Sequence, residues 1–286
     1  MNSSISLLDV SRQPDYYMNV REFPGGVVEA CMRVVRPMSQ DMMLAENVTS
    51  PADLPLSYRT KSAEEAASDR EANHKRSVRR ARQAIRWLCM EMMADRLLTL
   101  TFRGVIDDRE YVAEVFKRFV RLYRKFEPDW RYVSVLELQE RGSYHLHCAV
   151  KGFQRISVVR KCWYIACGGT GQEEGTDTPG SVNITSPVGR WGKGGREWKT
   201  GKLAGYLTKY LHKTFDETSS EKKRYWHSRG LSVPVPERHW IFATNMTEAL
   251  MKFQPLMELA HGLSPDYTKS WLSEDGTTFW MRGRAI

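Results

Sequence analysis

With 286 residues and 41% hydrophobic content, the chain has material for one large domain, or for a medium domain with appendages. A formal charge of +9, from 43 Lys and Arg against 34 Asp and Glu, points to a polyanionic partner, nucleic acid first. Five cysteines without a CxxC pair argue against zinc ribbons and a disulfide framework, and no apolar run has the length of a membrane span, so a soluble, cytoplasmic protein is expected.

Residues 1–60 lack a sustained period and are punctuated by Pro14, Pro24, Pro37, Pro51 and Pro55, which suggests a loosely organised segment with one short strand near Gly26–Val35. Residues 62–94 read as a long helix, because Val78, Ala81, Ile85, Leu88 and Met92 recur at spacings of three and four. Its other faces carry Lys75, Arg76, Arg79, Arg80, Arg82 and Arg86 with no acid between 75 and 86. Such a one-signed run suits either a solvated face or contact with a DNA backbone. Arg96–Phe102 reads as a strand and Asp107–Phe126 as an amphipathic helix burying Val112, Val115, Phe116, Phe119 and Tyr123.

Residues 131–151 read as two strands joined by a polar turn at Glu140–Ser143. His145 and His147, two apart, leave the sheet on one face. Glu137 alternates with Val133 and Val135, and an odd loop such as Arg141-Gly142-Ser143 would set it directly opposite His147. Two imidazoles and a carboxylate would then form a mixed nitrogen and oxygen site for a divalent ion. A His-x-His pair by itself is more often two hydrogen-bonded structural histidines.

Val158–Ala166 reads as a short helix, the glycine-rich stretch 168–205 as loop with a strand at Ser181–Pro187, and Lys202–Lys213 as a helix. In that helix Tyr206 and Tyr210 are four apart, as are Lys209 and Lys213, giving Tyr-x-x-Lys-Tyr-x-x-Lys. Packed tyrosines with exposed lysines would explain the pattern. So would a nucleophilic tyrosine, since a nearby cation favours the phenolate. Residues 216–240 interleave Arg224, Tyr225, Trp226, His227 and Arg229, a basic and aromatic cluster that suggests DNA contact, and a last helix spans about Asn245–His261. Trp271, Phe279 and Trp280 mark a possible strand in the tail. The order of elements predicts an α+β fold with a mainly antiparallel sheet flanked by helices. Expected boundaries are 1–60, 61–215 and a mostly helical 216–286. No Ser-His-Asp order, Cys/His nucleophile pair or phosphate loop competes. Gly195–Lys202 has the wrong spacing for the last, and no nucleotide cofactor is expected.

Three motifs, over residues 96–215, resemble in order those of the HUH endonucleases, the rolling-circle replication initiators of plasmids and single-stranded DNA phages. Leu98-Thr99-Leu100-Thr101-Phe102 resembles the strand associated with DNA contact. His145-Leu146-His147 resembles the His-hydrophobic-His motif with Glu137 as third ligand. Tyr206 to Lys213 resembles the tyrosine motif in the doubled form of phage gene A type initiators. The resemblance implies an HUH nuclease fold, ferredoxin-like or RRM-like, with helical N- and C-terminal additions. It implies Mg²⁺ or Mn²⁺ on His145, His147 and Glu137, and attack by Tyr206 or Tyr210 on single-stranded or hairpin origin DNA. The products are a 5′-phosphotyrosine and a 3′-OH primer. Lys209 and Lys213 are implied as charge partners, and Thr99 and Thr101 as DNA contacts. With no helicase domain, a host helicase and polymerase in a bacterial cytoplasm are the implied partners. An HUH transposase or relaxase shares this chemistry, and a non-enzymatic single-stranded nucleic-acid binder is the alternative of another class.

Overall fold

The computed structural model describes residues 15–35, 62–185, 200–215, 225–263 and 269–284, and within 200–215 the side chains up to Lys209. Among these residues lie five α-helices and two five-stranded antiparallel sheets, the α+β class expected from the order of elements. The chain divides into a central unit, Ala67–Val233, and a terminal unit built from both ends, Met1–Ala66 with Pro234–Ile286. The boundaries expected at 60 and 215 differ from this division, because the two ends of the chain pair with each other.

The terminal unit holds strands β1 (Tyr16–Phe23) and β2 (Val27–Val34), the latter covering the expected strand near Gly26–Val35. Later in the chain it adds β8 (Glu237–Ile241), helix α5 (Met246–His261), β9 (Lys269–Leu272) and β10 (Thr278–Arg284). The 216–286 segment, expected to be mostly helical, thus contributes strands on both sides of one helix. The sheet order is β8-β1-β2-β10-β9. Helix α5 starts at Asn245, whose side chain accepts from the Glu248 N–H, and stops at Gly262 in the left-handed conformation. Ala249, Phe253 and Met257 of α5 pack with Met18, Val20, Val28, Ala30 and Met32 of the sheet.

The central unit contains α1 (Ala63–Glu91, its first residues in the terminal unit), β3 (Arg96–Phe102), α2 (Arg109–Tyr123), β4 (Tyr132–Leu138) and β5 (Tyr144–Val150). There follow α3 (Ile156–Ala166), β6 (Gly180–Thr185), α4 (Thr200–Phe215) and β7 (Tyr225–His227). The sheet order is β6-β3-β5-β4-β7, so β5 is its middle strand. Alternation gives the two faces different jobs. Leu98, Leu100, Phe102, Leu136, Leu146, Cys148, Val150 and Val182 form one face, buried beneath Val112, Val115, Phe116 and Phe119 of α2 and Val159, Cys162 and Trp163 of α3. On the other face Leu97, Val133, Val135 and Ala149 are covered by Val78, Ala81, Ile85 and Leu88 of α1 and by Leu203, Ala204 and Leu207 of α4. Those α1 residues are the apolar period visible in the sequence. Farther along the strands that second face turns polar, and there the site lies.

Close approach at the start of β6 tests the first face. A Cβ at Gly180 would collide with the Thr101 carbonyl oxygen and lie 2.6 Å from Trp163 Nε1, which itself donates to Thr101 O at 3.1 Å. Gly180→Ala is expected to destabilise the protein by ~1–3 kcal/mol through overpacking. Urea unfolding measures this, and an unchanged midpoint would contradict the contact.

Candidate active site

The polar end of the second face is assembled by cross-strand register. Thr99 and Thr101 of β3 pair with His147 and His145 of β5, and Glu137 of β4 pairs with His145. All five side chains therefore share a face. Glu137 was expected opposite His147, and the structure corrects this. The Gln139 N–H donates to the Ser143 carbonyl at 3.1 Å, so the three connecting residues are Glu140-Arg141-Gly142 rather than Arg141-Gly142-Ser143. Gly142, at φ 78°, takes the left-handed position that the turn requires. Moving the loop by one residue shifts the pairing by two, which changes the partner and keeps the face. The carboxylate still reaches His147 diagonally, with Glu137 Oε2 2.8 Å from His147 Nε2.

Hydrogen bonds fix the two rings. Thr99 Oγ1 lies 3.2 Å from His147 Nδ1 and Thr101 Oγ1 3.4 Å from His145 Nδ1. Arg141 Nη2 lies 3.3 Å from His145 Nε2 and also donates to the Phe102 carbonyl at 3.1 Å. A guanidinium only donates, so His145 Nε2 accepts and its Nδ1–H donates to Thr101. At His147 the network assigns the opposite tautomer, Nε2–H donating to Glu137 and Nδ1 accepting from the Thr99 hydroxyl. A threonine hydroxyl serves either tautomer, because it both donates and accepts. Burial, then the charge of Arg141 and the neighbouring His147, push the His145 pKa down to about 4, against the pull of Glu137. His145 is thus neutral near pH 7, with its Nε2 lone pair turned toward the site.

Helix α4 brings the tyrosine motif to the same place. Leu203, Ala204 and Leu207 anchor it on β4 and β5, and Tyr206 sits half-buried at the edge of that stripe. The Tyr206 ring meets the His147 ring edge-on, with centroids 6.5 Å apart. Lys209, one turn on, is exposed. Tyr210 and Lys213 continue α4, but their side chains lie outside the described residues, and Arg224 lies wholly outside them. Arg79 and Arg80 are exposed on α1 and Arg86 is half-buried, while Arg229 is exposed beyond β7. The structure thus brings together Glu137, His145, His147, Thr99, Thr101 and Tyr206. It gives the two threonines an intramolecular role as partners of the imidazoles. Arg141 is the site residue not picked out from the sequence. Its one signal was a place in the turn four residues before His145. The donor set, two imidazoles and a carboxylate on one face with both Nδ1 atoms engaged by hydroxyls, fits a divalent ion such as Mg²⁺ or Mn²⁺.

Residues 95–215, less than half of the chain, match the family model described as a replication-associated protein of the ORF2 family. The match supports a place among replication-initiator proteins and a role in DNA replication. No curated protein and no solved structure matches the chain. Among the described residues no helix is long and apolar enough to cross a membrane.

The displaced His145 titration has a consequence for metal-free protein. Between about 4 and the ordinary 6.5, the unfolded chain binds a proton that folded His145 does not, so folding stability rises with pH across that window. His145→Gln is expected to flatten this slope in denaturation curves taken from pH 4 to 7. A slope unchanged by the substitution would contradict the buried neutral imidazole.

Proposed function

We propose that the central unit nicks and rejoins single-stranded origin DNA as the initiator of rolling-circle replication. The observation that carries this reading is the convergence of Glu137, His145 and His147 with the ring of Tyr206 on one sheet face, within the segment that matches the replication-associated family. His145, His147 and Glu137 would hold Mg²⁺ or Mn²⁺. The bound ion would supply Lewis-acid withdrawal of charge from the scissile phosphate.

The protein's own residues do the rest. Thr99 and Thr101 orient the imidazoles, and the hydroxyl of Thr99 permits His147 to move its proton to Nδ1 and free Nε2 for the ion. Arg141, on the exposed turn, withdraws from His145 Nε2 and becomes available to a phosphate. The Tyr206 oxygen, its proton lost to water, attacks phosphorus. The bond from phosphorus to the 3′-oxygen breaks, and that oxygen takes a proton and leaves as a free 3′-OH. A 5′-phosphotyrosine ester remains. The reverse attack by a 3′-OH reforms the phosphodiester and releases the tyrosine. Lys209 favours the phenolate electrostatically, and Tyr210, one turn along the helix, serves the second cut. Exposed Arg79 and Arg80 bind the DNA backbone.

Incubation with labelled single-stranded origin oligonucleotide and Mn²⁺, followed by denaturing electrophoresis, tests the chemistry. Wild type is expected to give a metal-dependent, SDS-resistant adduct, and Tyr206→Phe to lower its rate of formation by at least about a thousandfold. Tyr210→Phe is expected to retain the first adduct and lose the joined product. Tight binding with no adduct under any metal would contradict the nicking mechanism and favour a non-enzymatic single-strand binder. Neutralising Arg79 and Arg80 together is expected to reduce the salt slope of DNA affinity by about 2, with little effect on chemistry once DNA is saturating. An unchanged slope would remove α1 from the DNA interface.

A further inference from the structure

A second constellation of ligating side chains lies in the terminal unit, and the replication chemistry does not use it. A nitrogen of His239, a nitrogen of His261 and a carboxylate oxygen of Glu237 all lie within 4.8 Å of one another. The fold brings them there from distant parts of the sequence. Glu237 and His239 of β8 pair with Val20 and Met18 of β1 and so point to the face that α5 covers. His261 occupies the last turn of α5, where the helix macrodipole favours positive charge.

Two details separate this cluster from an ordinary ion pair. His261 Nδ1 lies 2.6 Å from Glu22 Oε1, yet its Nε2 is buried without a hydrogen-bond partner in a side chain only 5% exposed. His239 Nε2 is likewise buried and without a hydrogen-bond partner, although Glu237 Oε1 sits 3.3 Å from it. Buried polar atoms are normally satisfied, so two orphaned imidazole nitrogens side by side call for a common partner. A proton donor or acceptor cannot serve both lone pairs and the carboxylate at once, whereas a cation can. Glu22 on the far nitrogen of His261 is the carboxylate that commonly orients a metal-bound imidazole.

We propose that Glu237, His239 and His261 form a divalent-metal site of zinc type, with Glu22 as the positioning residue for His261. Two nitrogens and one oxygen suit a tetrahedral ion whose fourth position is left to water. Ligand bonds of ~2.0–2.1 Å set tetrahedral ligands about 3.3 Å apart, the separation already present between His239 Nε2 and Glu237 Oε1. Closing the remaining gap requires adjustment of Glu237, whose side chain is 63% exposed. The ion would tie the C-terminal end of α5 to the β8 edge of the sheet. This site is independent of the nicking reading and stands or falls separately.

Titration of the full chain with Co²⁺ tests it. The experiment uses a His145→Ala, His147→Ala background, so that binding in the central unit cannot contribute. One equivalent is expected to give the visible absorption of tetrahedral Co²⁺, to be displaced by Zn²⁺ and to raise the melting temperature. His239→Ala is expected to abolish that absorption, and Glu22→Gln to weaken binding by about 10- to 100-fold while leaving the coordination spectrum in place. Glu237→Gln, on an exposed side chain, supplies a ligand variant that does not disturb the core and is expected to lose tetrahedral binding. No stoichiometric tetrahedral absorption in the parent protein, or absorption undiminished in folded His239→Ala and Glu237→Gln, would overturn the site.

Discussion

The candidate active site depends on the pairing of β5 with a neighbour on each side. Strand β3 on one flank and β4 on the other are both antiparallel to it, and their registers agree in parity. Thr99, Thr101, Glu137, His145 and His147 therefore emerge on the same face. A slip of one residue in either ladder would turn a threonine pair or the carboxylate into the apolar layer beneath α2 and α3. That layer resists the slip. Leu98, Leu100, Leu136 and Leu146 are buried there, and exchanging them for polar groups would strand those groups without water or partners. Hydrophobic packing on one face thus fixes the chemistry on the other.

The second face is divided along its length. Helices α1 and α4 cover the end that carries Leu97, Val133, Val135 and Ala149. At the opposite end the histidines, carboxylate and threonines satisfy one another by hydrogen bonds. Helix α4 spans this division. Its Leu203 and Leu207 belong to the covered end, and Tyr206 between them meets His147. The same apolar stripe that holds the helix therefore aims the proposed nucleophile. In a chain with five free cysteines, among them Cys89 and Cys148 whose burial pushes the thiols up to about 12, tyrosine is the nucleophile the site presents.

Much of this was legible in the sequence because it is local. The spacing of two between His145 and His147 fixes their common face, and the alternation of Glu137 with Val133 and Val135 predicts the carboxylate beside them. The exact partner of Glu137 was not legible, since it turns on which three residues form the loop, and Arg141 and Ser143 compete for that place. Val78, Ala81, Ile85 and Leu88 announced α1, and Asn245 marked the start of α5. The terminal sheet was not legible. β1 finds β8 more than two hundred positions later, and no period along the chain encodes such a pairing. For the same reason Glu22, His239 and His261 carry no motif, and only the fold brings them together. Thr99 and Thr101 were visible as a strand, but their bonds to the imidazoles follow from the register rather than from their identity.

The most direct measurement is anomalous diffraction from crystals soaked in Mn²⁺, collected where manganese scatters anomalously. The account predicts a peak bonded to His145 Nε2, His147 Nε2 and the Glu137 carboxylate, with Arg141 displaced from His145 and the Tyr206 hydroxyl turned toward the ion. Full manganese loading with no peak at these three residues, and the Glu137–His147 contact left intact, would contradict it.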